Sequence, residues 1–130
     1  MKVGKAIYSA ITGDGTLAGL VSTRVYPDRA VQQATLPYIV YTSIDTQPTD
    51  TKDGGSMLDV IRVQVDTFAS TYDSANTISE RVRTVLDRKT GTVGTLSIDS
   101  MHFVNEISSP PDLEQHIFMI SQEYNVRLKR

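Results

Sequence analysis

Apolar side chains open the chain at helical spacing: Val3, Ala6, Ile7, Ala10 and Ile11 share one stripe, and Leu17, Leu20 and Val21 resume it after Thr12-Gly13-Asp14-Gly15. That interruption predicts two helices with a kink between them. Gly13 suits the left-handed residue that ends the first, and Asp14 caps the second by accepting backbone N–H bonds. Arg24-Val25-Tyr26-Pro27 reads as a short edge strand, because proline pushes the residue before it toward extended geometry and cannot donate to a ladder. From Leu36 to Ile44 β-branched and aromatic residues dominate, which predicts a strand. Met57 to Phe68 then alternates, with Ile61, Val63 and Val65 on one face and Arg62, Gln64 and Asp66 on the other, as a half-buried strand requires.

Between those strands, Asp45 to Ser56 carries no apolar anchor and contains Gly54-Gly55, so it is expected to be a mobile loop at the tip of a long hairpin. Ser74 to Asp87 places Ile78, Val82, Val85 and Leu86 on one stripe, an amphipathic helix. Lys89 to Thr95 is a turn region, Leu96 to Ile107 returns to extended character, and Ser108-Ser109-Pro110-Pro111-Asp112 breaks it. In the last run Phe118, Ile120, Tyr124, Val126 and Leu128 alternate against Ser121, Glu123, Asn125 and Arg127, predicting a long C-terminal strand. The order helix, strand, strand, helix, strand, strand predicts an α+β domain. Its antiparallel sheet of about four to five strands has a kinked N-terminal helix and a central amphipathic helix packed on one face.

Composition narrows what such a domain can do. With 130 residues the chain is read as one domain spanning 1–130, and 39% apolar residues give a modest core that oligomerisation would reinforce. A formal net charge of −2 and a pI near 5.6 supply no bulk attraction to nucleic acid. No apolar run approaches the ~20 residues that span a bilayer, and no signal-peptide stretch follows Met1, so a soluble, unprocessed protein without membrane partners is expected. The absence of cysteine excludes disulfides, a thiolate nucleophile and Cys-ligated zinc, which suits a reducing cytosol.

Each candidate for chemistry meets a simpler reading. Gly13 to Ala18 formally matches a dinucleotide fingerprint, but a helical pattern precedes it where a buried strand is required, so a turn and cap is favoured. Asp50, Asp53 and Gly54 invite a calcium loop, yet Lys52 intrudes and Ile61 stands where the bidentate Glu belongs, which favours a solvated tip. His102 and His116 have no partner set for metal or relay chemistry, and no Gly-x-Ser-x-Gly elbow occurs. Asp45 with Asp59 and Asp66 with Asp73 are acidic pairs to which no acid–base role is given. The tyrosines Tyr8, Tyr26, Tyr38, Tyr41, Tyr72 and Tyr124 suit half-buried strands and interfaces, with packing preferred, and Tyr38 and Tyr41 fall on opposite faces. The expectation is of a protein with no catalytic residues, no cofactor and no metal.

Three stretches carry a family likeness. Val3 to Ile11 with Leu17-Ala18-Gly19-Leu20-Val21 and Arg24-Val25-Tyr26-Pro27 resembles the start of small siphophage tail-completion, or tail terminator, proteins that join head and tail. Leu36-Pro37-Tyr38-Ile39-Val40-Tyr41, the strand ending Val65-Asp66-Thr67-Phe68-Ala69, and the helix from Asp73 to Asp87 resemble that family's central region. The likeness implies a virion structural protein made in the host cytoplasm. It further implies a homo-oligomeric ring, a hexamer, that ends the tail tube and meets the tail tube protein on one side and the head connector or stopper protein on the other. Alternatives are another neck or tube component, such as a head–tail adaptor or tube subunit, and a small non-phage ligand-binding or hydrolase domain. On the ring reading, the tip residues Gln47, Thr49, Asp50, Thr51, Lys52, Asp53, Gly54, Gly55 and Ser56 are the expected docking element. The terminal strand, through Tyr124, Arg127, Lys129 and Arg130, is the expected subunit edge.

Overall fold

The computed structural model describes residues 2–28, 35–51, 54–88, 90–93, 96–108, 110, 114 and 116–129. Two helices come first, α1 (Lys2–Thr12) and α2 (Gly15–Val21). The Asp14 carboxylate accepts the Leu17 N–H at 3.0 Å and so caps α2 as anticipated. Gly13, however, is not left-handed. It is required for room, since a Cβ there would lie 2.8 Å from the Ser9 carbonyl oxygen.

There follow β1 (Val25–Pro27), β2 (Tyr38–Thr51), β3 (Gly54–Ala69), α3 (Tyr72–Leu86), β4 (Gly91–Val93), β5 (Leu96–Ser108) and β6 (Phe118–Lys129). The strands form one six-stranded sheet in the order β1-β2-β3-β6-β5-β4. All pairings are antiparallel except β1 with β2. The α+β class holds, and β1 is the short edge strand anticipated up to Pro27; the additional strand is β4, whose three residues in the expected turn region are too few for a periodic signal.

The helices cover one face. Ala6, Ile7, Ala10 and Ile11 of α1, Leu17 and Val21 of α2, and Ile78, Val82 and Leu86 of α3 join Ile39, Ile61, Val63, Val65, Ile98, Met101, Tyr124, Val126 and Leu128 of the sheet in a single buried cluster. Because strand side chains alternate, the same strands turn Arg62, Gln64, Glu123 and Asn125 to the helix-free face. Thr71 caps α3 by accepting the Ser74 N–H at 3.1 Å. At the other end of α3, Asp87 accepts the Phe103 N–H at 3.0 Å and Arg83 lies 3.9 Å over the Phe103 ring, so helix and β5 are tied by polar contacts as well as burial.

Candidate functional site

Which backbone groups the sheet leaves open decides where it can assemble. β6, expected to be a subunit edge, lies inside the sheet, paired with β3 from Leu58–Lys129 to Ala69–Phe118 and with β5 from Ile98–Leu128 to Ser108–Ile120. Its ladder is used on both sides, and Tyr124 is 0% exposed, so the assignment of Tyr124, Arg127 and Lys129 to an open edge is corrected. Arg130 lies outside the described residues. Alternation along β6 reports that one face is buried; it carries no information about which strands stand to either side.

The open edges are elsewhere. β1 covers β2 only at Ile39, Val40 and Tyr41, and β4 covers β5 only from Leu96 to Ile98. Among the described residues no strand covers the rest of either outer edge, although Asp87 and Arg88 at the end of α3 already bond the Phe103 N–H and the Met101 carbonyl of β5. The segment expected to be a loop is also corrected, for β2 runs through Gln47, Thr49, Asp50 and Thr51, and β3 begins at Gly54, Gly55 and Ser56. Asp50 pairs with Gly55 and Thr51 with Gly54, while Lys52 and Asp53 lie outside the described residues. A run without apolar residues predicts a loop when hydrophobic burial is the only guide, but here strand pairing continues without it. Since β6 reaches β3 only as far as Leu58, the hairpin beyond that point pairs with itself alone among the described residues and forms a two-stranded ribbon extending past the β3–β6 ladder.

On the helix-free face Tyr38 stacks on Phe68 at 4.9 Å between centroids and meets Tyr26 edge-on at 6.0 Å. Tyr41 faces the helices, so the two tyrosines do lie on opposite faces. Burial pushes the Tyr41 hydroxyl pKa up, aided by nearby Tyr8 and Asp28. Tyr41 lines a cavity of about 440 Å³ together with Gly4, Lys5, Ile7, Pro27, Asp28, Ser43 and Val63.

Inside the core sits a polar chain that sequence reasoning missed. Gln122, fully buried, donates to the Ser79 carbonyl at 2.9 Å and to Glu106 Oε1 at 2.8 Å, and accepts from the Tyr124 hydroxyl at 2.9 Å. Burial drives the Tyr124 pKa well above the usual phenol range. The one available signal was Gln122 falling in phase with Ile120 and Tyr124 on the buried face.

The remaining candidates are scattered. His102 is exposed opposite Asn125, and His116 sits at φ 52°. Asp66 accepts from the Gln64 amide at 2.9 Å, whereas Asp73 lies in the first turn of α3. Asp45 pairs with Arg62 and Asp59 with Pro48, so those two acids are not opposite each other. Among the described residues no group of three His, Cys, Asp or Glu could hold a metal ion, and no helix is long and apolar enough to cross a membrane.

The comparisons with known proteins agree on one kind of molecule. No curated protein sequence matches the chain. Among solved structures, a chain from the "Virion of native gene transfer agent (GTA) particle" superposes with a TM-score of 0.80 at 18% identity, covering 98% of this chain and 95% of that one. The profile of the family Tail completion protein gp17 matches residues 5–128. The chain therefore belongs to the tail completion protein gp17 family, and is a structural protein of the phage tail and neck, carried in the virion.

Proposed function

We propose that the protein is the tail terminator: a subunit that closes into a homo-oligomeric ring, a hexamer, at the end of the tail tube and joins the tube to the head connector. The observation that carries this reading is the β2–β3 ribbon, which beyond Leu58 pairs only with itself among the described residues and so offers backbone groups to a partner. The ribbon, with Thr49 to Thr51 and Gly54 to Ser56, together with Gln47 at its base, is the docking element for the tube or the connector. The ring itself uses the outer sheet edges. Sheet pairing and surface contact perform this work, so the role is structural, with neither cofactor nor nucleic-acid specificity.

A phage lacking the gene, examined by negative-stain microscopy, tests the proposal together with native mass measurement of the purified protein. Tails without heads and without a fixed end, and a closed species of one copy number, are the expected results. Purified protein that polymerises into open tubes would reassign it to the tube, because a contact that does not close makes filaments and not rings.

A further inference from the structure

β1 and the end of β5 close off the same rungs of the sheet. The middle one runs Tyr26–Val40–Asp66–Ser121–Ile107, and on either side of it Val25 is level with Ser108 and Pro27 with Glu106. At this height both strands are outer edges, because β4 reaches β5 only from Leu96 to Ile98. Asp87 and Arg88 bond β5 at Phe103 and Met101, before the Val104 bulge, and residues 104–108 beyond that tie are all exposed. Ile107 is 57% exposed and points from the helix-free face, where Tyr26 ends the same rung beside Tyr38.

The two edges differ in what they can bond. The Arg24 carbonyl accepts from Ile39 at 3.0 Å and the Asp28 N–H donates to Tyr41 at 2.9 Å, so alternation turns Tyr26 to β2 and turns Val25 and Pro27 outward. The Val25 N–H already donates to the Thr23 carbonyl at 2.8 Å, and Pro27 has no N–H. The outer edge of β1 therefore offers carbonyls alone, and two copies cannot pair through it. Carried across the ladders, the same alternation turns Ile107 to β6 and the N–H groups of Glu106 and Ser108 outward, level with the Pro27 and Val25 carbonyls. β1 is parallel to β2, and three antiparallel pairings separate β2 from β5, so β5 runs opposite to β1. A copy turned about an axis along the strands, with no shift along it, sets its β5 antiparallel to the first copy's β1 on matching rungs, and rotation without translation is what closes a ring.

We propose that neighbouring copies join head to tail through these edges, residues 106–108 of one copy pairing with β1 of the next. The Glu106 and Ser108 N–H groups donate to the Pro27 and Val25 carbonyls across the contact, and Ile107 seats against Tyr26 as a cross-strand pair of a β-branched and an aromatic residue. This rests on the ring reading above. The acceptor-only edge gives the contact its polarity, since it takes a donor edge and refuses its own copy.

The native chain has no cysteine, which makes a direct test clean. In the full-length Tyr26→Cys/Ile107→Cys variant, oxidised in solution, the facing thiols are expected to give a disulfide ladder on a denaturing gel that ends at the copy number found by native mass. Each single variant alone is expected to give none, and the two singles mixed to give dimers and nothing larger. A second variant, Pro27→Cys/Glu106→Cys with a short bismaleimide, probes the neighbouring rung and decides the matter if loss of Tyr26 unfolds the chain. Closed oligomers in native mass with no ladder from either pair would leave the ring standing and overturn these edges. Dimers formed as readily by a single variant would mean a contact between like edges and overturn the head-to-tail arrangement. Absence of any oligomer, in solution and in assembled tails, would sink both readings. Because Ile107 is exposed, Ile107→Asp keeps the fold and is expected to weaken the oligomer about tenfold or more by burying a charge in the contact. A folded Ile107→Asp protein that assembles like the parent counts against the contact.

Discussion

Asp14 serves two partners at once. One carboxylate caps α2 through Leu17, and the same group receives the Arg81 guanidinium at 2.9 Å and 2.7 Å, joining α2 to α3. These contacts, the Arg81 hydrogen bond foremost, hold its pKa down at about 2 against the ordinary 3.8. A lowered carboxylate pKa stabilises the fold above the unfolded value, and that contribution fades as pH falls from about 3.8 through about 2. Asp14→Asn keeps a capping oxygen and loses the charge, so its stability deficit, followed by urea unfolding, is expected to be constant above pH 5 and to shrink toward pH 2. Asp14→Ala is expected to cost about 1 kcal/mol more through the lost cap. In the core, Gln122→Leu strands the Tyr124 hydroxyl and is expected to cost about 1–3 kcal/mol. Adding Tyr124→Phe should recover part of that loss in the same unfolding assay; a double variant worse than the single would mean that packing, not the hydrogen bond, sets the cost. The cap was legible because Asp beside Gly at a break in helical period has few other uses. The Arg81 partner was not, since 67 positions separate the two residues.

At the scale of elements, α1, α2, α3 and the alternating parts of β2, β3, β5 and β6 were readable because each buries one face, and burial imposes a period. The ribbon was misread because its sequence carries no apolar alternation. Replacing residues 49–58 by an Asn-Gly turn is expected to leave the unfolding free energy within roughly 1 kcal/mol of the parent, since those residues mostly pair with one another. The same change is expected to abolish production of headed tails in a complementation assay. Normal tails from the shortened protein would remove the ribbon from the docking role. β4 escaped for a different reason: a strand of three residues is held by its neighbour, and no internal pattern announces it, whereas the edge strand β1 was legible from Pro27.

For the whole molecule, a modest core makes the proposed ring part of the stability. Melting temperature is then expected to rise with protein concentration, which calorimetry over a hundredfold dilution range would show. A wild-type melting point that ignores concentration would indicate that subunits do not associate in solution. By itself the sequence determined the class of fold, the buried stripe of the helices and the buried face of the alternating part of β3 and of β6, the absence of cysteine chemistry and the likeness to tail completion proteins, because these depend on local period, composition and short motifs. Only the tertiary structure decided that β6 is central and that the short strands β1 and β4 end the sheet. Strand order is settled by long-range pairing, and two strands with the same alternation are indistinguishable until their neighbours are known.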